Sequence, residues 1–195
     1  TGNLHIGSVR TAFINYIVTQ QAKKKYPKSK FLLRIEDTDK KRSTNEFNLN
    51  IINSLKWLGI KYDEEPYIQS KRVGRHQKIA YELLKQKKAF KCICSHEVLE
   101  KKRAENKINK INNKRLCETC EKDLKIQSLK VGYAIRIKIP ITEQTSINDL
   151  IQGKIIVQNK ELDNFIILRN DGSPTYMLSV VVDDFDMGVN LIIRG

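Results

Sequence analysis

A chain of 195 residues with 40% hydrophobic content, seven Tyr, six Phe and one Trp has the means to bury a core. This composition is ordinary for a globular protein, and one or two domains are expected. The 36 basic residues against 22 acidic ones give a net charge of +14, which favours polyanions such as nucleic acid; the alternative is a solvated Lys-rich surface. No apolar run is long enough to cross a bilayer and no secretory pattern opens the chain, so a cytoplasmic protein without a membrane partner is expected.

After a Gly-containing turn, Val9, Phe13, Ile14, Ile17 and Val18 recur at helical spacing, and the pattern dies in Lys23, Lys24, Lys25, Tyr26 and Pro27. Phe31 to Ile35 reads as a strand covered on both faces, running into Glu36-Asp37-Thr38-Asp39. Carboxylates at the C-terminal end of such a strand occupy the place where open α/β sheets bind ligands. Ser43 with Glu46 forms a capping box for a second helix carrying Phe47, Ile51, Leu55 and Leu58, ended by Gly59. A third helix, from about Ser70, carries Val73, Ile79, Leu83 and Leu84. Helix, strand and helix in this order indicate a wound α/β sheet.

From Cys92 to Cys120 the apolar content falls, and residues 101–115 hold seven Lys or Arg against one Glu. Beyond this module, Tyr133, Ile135, Ile137, Ile139 and Ile141 alternate with Arg136 and Lys138, which predicts a half-exposed strand. Shorter strands are expected at Ile155–Val157 and Phe165–Leu168, with a turn at Asp171-Gly172. Tyr176 to Val182 fits a buried helix or a strand equally. Leu191 to Arg194 reads as a buried parallel strand ending in a cation.

Gly2-Asn3-Leu4-His5-Ile6-Gly7-Ser8 places glycines and an imidazole directly before a helix N-terminus, where free N–H groups and the helix dipole favour phosphate. Alone it reads better as a glycine-rich helix entry with an incidental His. It is followed, however, by Leu33-Arg34-Ile35-Glu36-Asp37-Thr38-Asp39, Trp57-Leu58-Gly59, Tyr67-Ile68-Gln69-Ser70, Ser173-Pro174-Thr175-Tyr176 and Val181-Val182-Asp183-Asp184. This ordered set, closing at Ile193-Arg194-Gly195, resembles the class I aminoacyl-tRNA synthetases of the glutamyl type. The first segment is similar to the HIGH signature with its second histidine replaced by Ser8, and the second to RIEDTD, where glutaminyl enzymes read closer to RFDDTN.

The resemblance implies a Rossmann-type parallel sheet core interrupted by an inserted α+β, zinc-containing acceptor-stem module. The expected domains are residues 1–90, 91–178 for the insertion, and 179–195 for the return to the core. It also implies glutamate activation by ATP with Mg2+, then transfer from glutamyl-adenylate to tRNA(Glu), by a monomer. His5, Gly7 and Ser8 would meet the ATP phosphates. Glu36 would accept the α-ammonium of L-glutamate, Tyr176 would pack on its side chain, and Arg194 would take its γ-carboxylate in a bidentate contact. For Arg194 the alternative is a surface salt-bridge residue. Val180 stands where some members carry Asn, and Asp39 resembles a residue near the tRNA 3′ end. The family's N-terminal strand, KMSKS-type loop and anticodon-binding region have no counterpart here, so the 195 residues by themselves are expected to be inactive.

Cys92-x-Cys94 and Cys117-x-x-Cys120 supply four thiolates, enough for a closed tetrahedral structural zinc site in a module with little core of its own; four reduced, unligated thiols are the alternative. The family often shows Cys-x-His or Cys-x-Tyr at the second pair, so Cys117-x-x-Cys120 departs from its pattern. Two rival readings are a glutamyl-Q tRNA(Asp) synthetase, a shortened relative, and a noncatalytic zinc-containing RNA-binding protein, which leaves His5, Glu36 and Arg194 unexplained.

Overall fold

A computed structural model describes residues 4–38, 45–109 and 115–194. The chain divides into two compact units, Thr1–Gly74 with Ser179–Gly195, and Arg75–Leu178. Among the described residues no helix is long and apolar enough to cross a membrane.

The first unit opens with helix α1 (Ile6–Lys25), capped by His5 and closed as Tyr26 N–H donates to the Ala22 carbonyl at 2.7 Å. The expected helix is present, but it packs through a different stripe. Phe13, Ile14 and Ile17 are exposed, whereas Ala12 and Tyr16 lie against the buried cluster of Phe31, Leu55 and Ile60. The Tyr16 and Phe31 rings meet edge to face, with centroids 5.8 Å apart.

Strand β1 is short, Arg34–Ile35. It pairs in parallel with β2 (Tyr67–Ile68) across a connection containing helix α2 (Asn45–Trp57), a βαβ arrangement. The capping residue expected for α2, Ser43, lies outside the described residues. The other end of α2 is closed as expected: Gly59 takes φ +72°, and Ile60 N–H reaches back to the Leu55 carbonyl at 3.0 Å, delivering the Ile60 side chain to the core. A 3-10 turn, Gln69–Arg72, leads into helix α3 (Val73–Lys85). Asp37, buried, holds that turn by accepting from Ser70 N–H and Ser70 Oγ, both at 2.8 Å.

In the second unit, strands β3 (Ala89–Cys92), β4 (Ala134–Ile137) and β7 (Ile166–Leu168) form an antiparallel sheet in the order β3, β4, β7. Between β3 and β4 run helices α4 (His96–Ile108), α5 (Glu118–Lys122) and α6 (Leu124–Ser128). Strands β5 (Gln144–Asp149) and β6 (Gly153–Gln158) make a hairpin of six residue pairs; β5, exposed throughout, has no burial period in the sequence. Helix α7 (Tyr176–Asp186) resolves the ambiguity of the Tyr176 to Val182 run as helix.

Three expectations are corrected. Arg136, assigned to the exposed face of its strand, is only 4% exposed and donates to the Asn164 carbonyl at 2.7 Å. Arg115, the last cation of the basic run 101–115 and expected at the surface with it, is 6% exposed and donates to the carbonyls of Ile139 (2.7 Å) and Asn159 (2.9 Å). Leu191 to Arg194 is not a buried strand: the segment is irregular, Leu191 and Ile192 are exposed, and the Ile193 carbonyl is met by the Asn15 side-chain amide at 2.9 Å rather than by a neighbouring strand.

In the first unit Asp63 accepts from Lys23 Nζ at 2.6 Å and from Phe31 N–H at 2.7 Å, which together hold its carboxyl below the ordinary Asp range. A folded-state pKa below the unfolded one adds stability above the unfolded value, which is lost as pH falls through the folded value. Asp63→Asn should therefore lower stability at neutral pH by about 1 kcal/mol. The gap to wild type should close in acid, as read from urea unfolding midpoints over a pH series; a gap independent of pH would contradict this role.

Candidate functional site

The segment from Arg34 to Asp37 leaves a buried strand, so its charged side chains must find partners as they leave the core. Asp37 turns inward to the 3-10 turn. Glu36, 36% exposed at its side chain, stays accessible, and its Oε1 accepts from Arg34 Nη2 at 3.1 Å and Nε at 3.2 Å. The same guanidinium, 11% exposed, donates through Nη1 to Asp184 Oδ1 at 2.5 Å. The other Asp184 oxygen faces Arg194 Nη2 at 4.0 Å. Four charges of alternating sign, Glu36, Arg34, Asp184 and Arg194, thus form one series within the first unit. Asp183, fully buried on α7, turns the other way and accepts from Gln69 Nε2 at 2.8 Å.

His5 is the N-cap of α1. Its ring accepts weakly from Ser8 N–H at 3.4 Å, and its other ring nitrogen lies 3.1 Å from Ser8 Oγ. A Cβ at Gly7 would come within 3.2 Å of two His5 ring atoms, so glycine there lets the imidazole fold over the helix entry. His5, Gly7 and Ser8 are therefore one local group at a helix N-terminus with an exposed face.

Tyr176 opens α7 in the second unit and is 46% exposed. Val180, where some members of the resembled family carry Asn, is 7% exposed and apolar. Asp39 lies outside the described residues.

The Sγ atoms of Cys92, Cys94 and Cys117 lie within 4.8 Å of one another, and Cys94 Sγ is 3.4 Å from Cys120 Sγ. Zinc–sulfur bonds of about 2.3 Å in a tetrahedron set sulfur–sulfur separations of about 3.8 Å, so the donor set fits zinc. The positions follow from the fold: Cys92 ends β3, Cys94 follows it, and Cys117 and Cys120 lie at the start of α5. Cys92, Cys117 and Cys120 are each 3% exposed and share a small core with Phe90 and Leu99. A hydrogen bond from Cys117, helped by the Arg136 guanidinium, pulls the Cys92 thiol down to about 4, while that same bond and burial push Cys117 up. Burial likewise pushes Cys120 up to about 12.

Arg34, Asp184 and Asn15 were not singled out from sequence as site residues. A lone Arg inside an otherwise apolar strand, directly ahead of two carboxylates, was the available signal for Arg34. Asn15 had none, because its Ile193 partner is 178 residues away.

The whole chain, residues 1–195, matches the family described as tRNA synthetases class I (E and Q), catalytic domain. The glutamate–tRNA ligase of Thermodesulfovibrio yellowstonii is 42% identical over 195 residues, covering 100% of this chain and 40% of that protein. Glutamate–tRNA ligase 1 of Orientia tsutsugamushi is 44% identical over 198 aligned positions, with the same coverage. A crystal structure of a glutamate tRNA ligase from Elizabethkingia meningosepticum, in complex with its amino acid, is similar at a TM-score of 0.79 and 32% identity over 100% of this chain and 42% of that one. The chain thus spans about 40% of the length of the curated relatives it matches. With its order of motifs, its βαβ arrangement and a family match from first residue to last, the chain belongs to the catalytic-domain family of the class I tRNA synthetases (E and Q).

Proposed function

We propose that this chain supplies the catalytic region of a glutamate–tRNA ligase: an ATP-dependent enzyme that activates L-glutamate and attaches it to tRNA(Glu). The observation that carries this reading is the series Glu36, Arg34, Asp184, Arg194, which presents a carboxylate and a guanidinium from one buried scaffold. A free amino acid with an acidic side chain needs such a pair, an anion for its ammonium and a cation for its distal carboxylate.

In this reading Glu36 accepts the α-ammonium and Arg194 receives the γ-carboxylate. The α-carboxylate oxygen of glutamate then attacks the α-phosphorus of ATP, bound as its Mg2+ complex, and pyrophosphate leaves. His5, Gly7 and the free N–H groups that open α1 receive phosphate oxygens, where negative charge grows during transfer. A ribose hydroxyl at the tRNA 3′ end next attacks the adenylate carbonyl and releases AMP. No protein nucleophile is required. Tyr176 packs on the glutamate side chain, and Val180 provides no side-chain polar contact at its position.

In this reading residues 91–178 are an inserted module whose chemistry suits the acceptor stem of tRNA. Exposed Lys101, Arg103 and Lys107 on α4 offer charge to phosphates, while the inward-facing Arg115 is removed from that role. Cys92, Cys94, Cys117 and Cys120 would hold a structural zinc ion, which ties the end of β3 to the start of α5. The enzyme acts as a cytoplasmic monomer in this account.

Arg194→Ala in the full-length protein should lose on the order of 2 to 5 kcal/mol of glutamate recognition, part of which reports the partner left unpaired. In tRNA-dependent ATP–pyrophosphate exchange this appears as a drop in kcat/KM for glutamate of roughly thirtyfold or more. KM for ATP should stay within about twofold. Unchanged glutamate kinetics would make Arg194 a surface salt-bridge residue. Separately, elemental analysis of full-length protein purified without chelator should find about one zinc per chain, lost in Cys117→Ser; a metal-free wild type with a folded insertion would remove the site.

A further inference from the structure

The Arg34 guanidinium is used on three sides. Nε and Nη2 both reach Glu36 Oε1, at 3.2 and 3.1 Å, and Nη1 reaches Asp184 Oδ1 at 2.5 Å. A planar fork with fixed donor directions imposes an angle between the two carboxylates that an ammonium cannot impose. Asp184 is thereby turned so that its second oxygen faces Arg194 at 4.0 Å, while Asn15 of α1 holds the backbone one residue earlier through the Ile193 carbonyl at 2.9 Å. Arg194 keeps 49% of its side chain exposed, so it is steered by Asp184 without being sealed off.

We propose that Arg34 is the positioning residue for both ends of the amino-acid site, holding Glu36 directly and aiming Arg194 through Asp184. This rests on the roles given above to Glu36 and Arg194. Arg34 touches neither the substrate ammonium nor its γ-carboxylate; it sets the distance between the groups that do. The site therefore selects an amino acid by length as well as by charge. Loss of Arg34 frees Glu36 to swing outward and leaves Asp184 with Arg194 as its remaining strong partner in this series, drawing that guanidinium away from the substrate carboxylate.

The test compares Arg34→Gln, Arg34→Lys and Asp184→Asn with wild type in the full-length protein, using tRNA-dependent ATP–pyrophosphate exchange and thermal unfolding. Arg34→Gln and Asp184→Asn should each raise KM for glutamate by about tenfold or more while KM for ATP stays within about twofold. Arg34→Lys should fail to restore glutamate use, because a point charge does not bridge both carboxylates. Should Arg34→Gln not fold, Asp184→Asn, which removes one charge at nearly constant volume, decides alone. KM for glutamate within about twofold of wild type in the folded variants, or an equal rise in both KM values, overturns the proposal. Glu36→Gln and Arg194→Ala run in parallel separate the two levels. If they impair glutamate use and the Arg34 and Asp184 variants do not, only the positioning role falls; if none of them does, the amino-acid site itself is misassigned.

Discussion

The guanidinium of Arg34, almost out of water and bound to carboxylates from two separate parts of the chain, is the constraint on which the first unit depends. A buried cation must be paired, because the desolvation of a lone charge exceeds what packing returns. That requirement brings the end of β1 to α7, although the residues involved, Arg34 and Asp184, are 150 positions apart. Asp37 and Asp183 complete the arrangement from the same two segments, one anchoring the Gln69–Arg72 turn through Ser70 and the other meeting Gln69 within it. Each neighbouring pair of acids is thus divided: Asp37 and Asp183 meet the Gln69–Arg72 turn, while Glu36 and Asp184 meet the Arg34 guanidinium.

Much of this was legible in the sequence wherever the determinant was local. Gly59 ended α2 because only a residue tolerant of positive φ closes that helix while delivering Ile60 to the core. Glu36 follows the short strand β1 directly, as the apolar run ahead of it implied, and the two cysteine pairs pointed to one cluster of thiols. What was not legible depended on distant partners. Arg136 and Arg115 read as surface cations in an alternating strand and a basic run, yet both are buried because the carbonyls around Asn164 accept from them. Leu191 to Ile193 has the composition of a buried strand, but composition does not reveal that Asn15 meets its backbone. Strand β5 escaped notice for the opposite reason, since a strand exposed on both faces carries no hydrophobic period.

In the second unit the apolar core around the thiols is small, Phe90 and Leu99 with flanking Cys94, Leu116 and Ile126. Buried arginines and thiols do the work that larger side chains perform elsewhere: Arg115 fastens the chain after α4 to the carbonyls of Ile139 and Asn159, and Arg136 places positive charge beside Cys92 and Cys117. A cluster of thiolates on a divalent metal is net negative, so a buried guanidinium beside it is electrostatically consistent with metal binding.

The central claim, that one glutamate is held end to end between Glu36 and Arg194, is tested most directly by a crystal structure of the full-length protein with L-glutamate bound. The account predicts the γ-carboxylate within hydrogen-bond distance of the Arg194 guanidinium and the α-ammonium within the same distance of Glu36, about 2.7 to 3.1 Å in each case. It also predicts that Arg34 still bridges Glu36 and Asp184. A glutamate bound with its γ-carboxylate on another cation, and Arg194 still turned to Asp184, would contradict it.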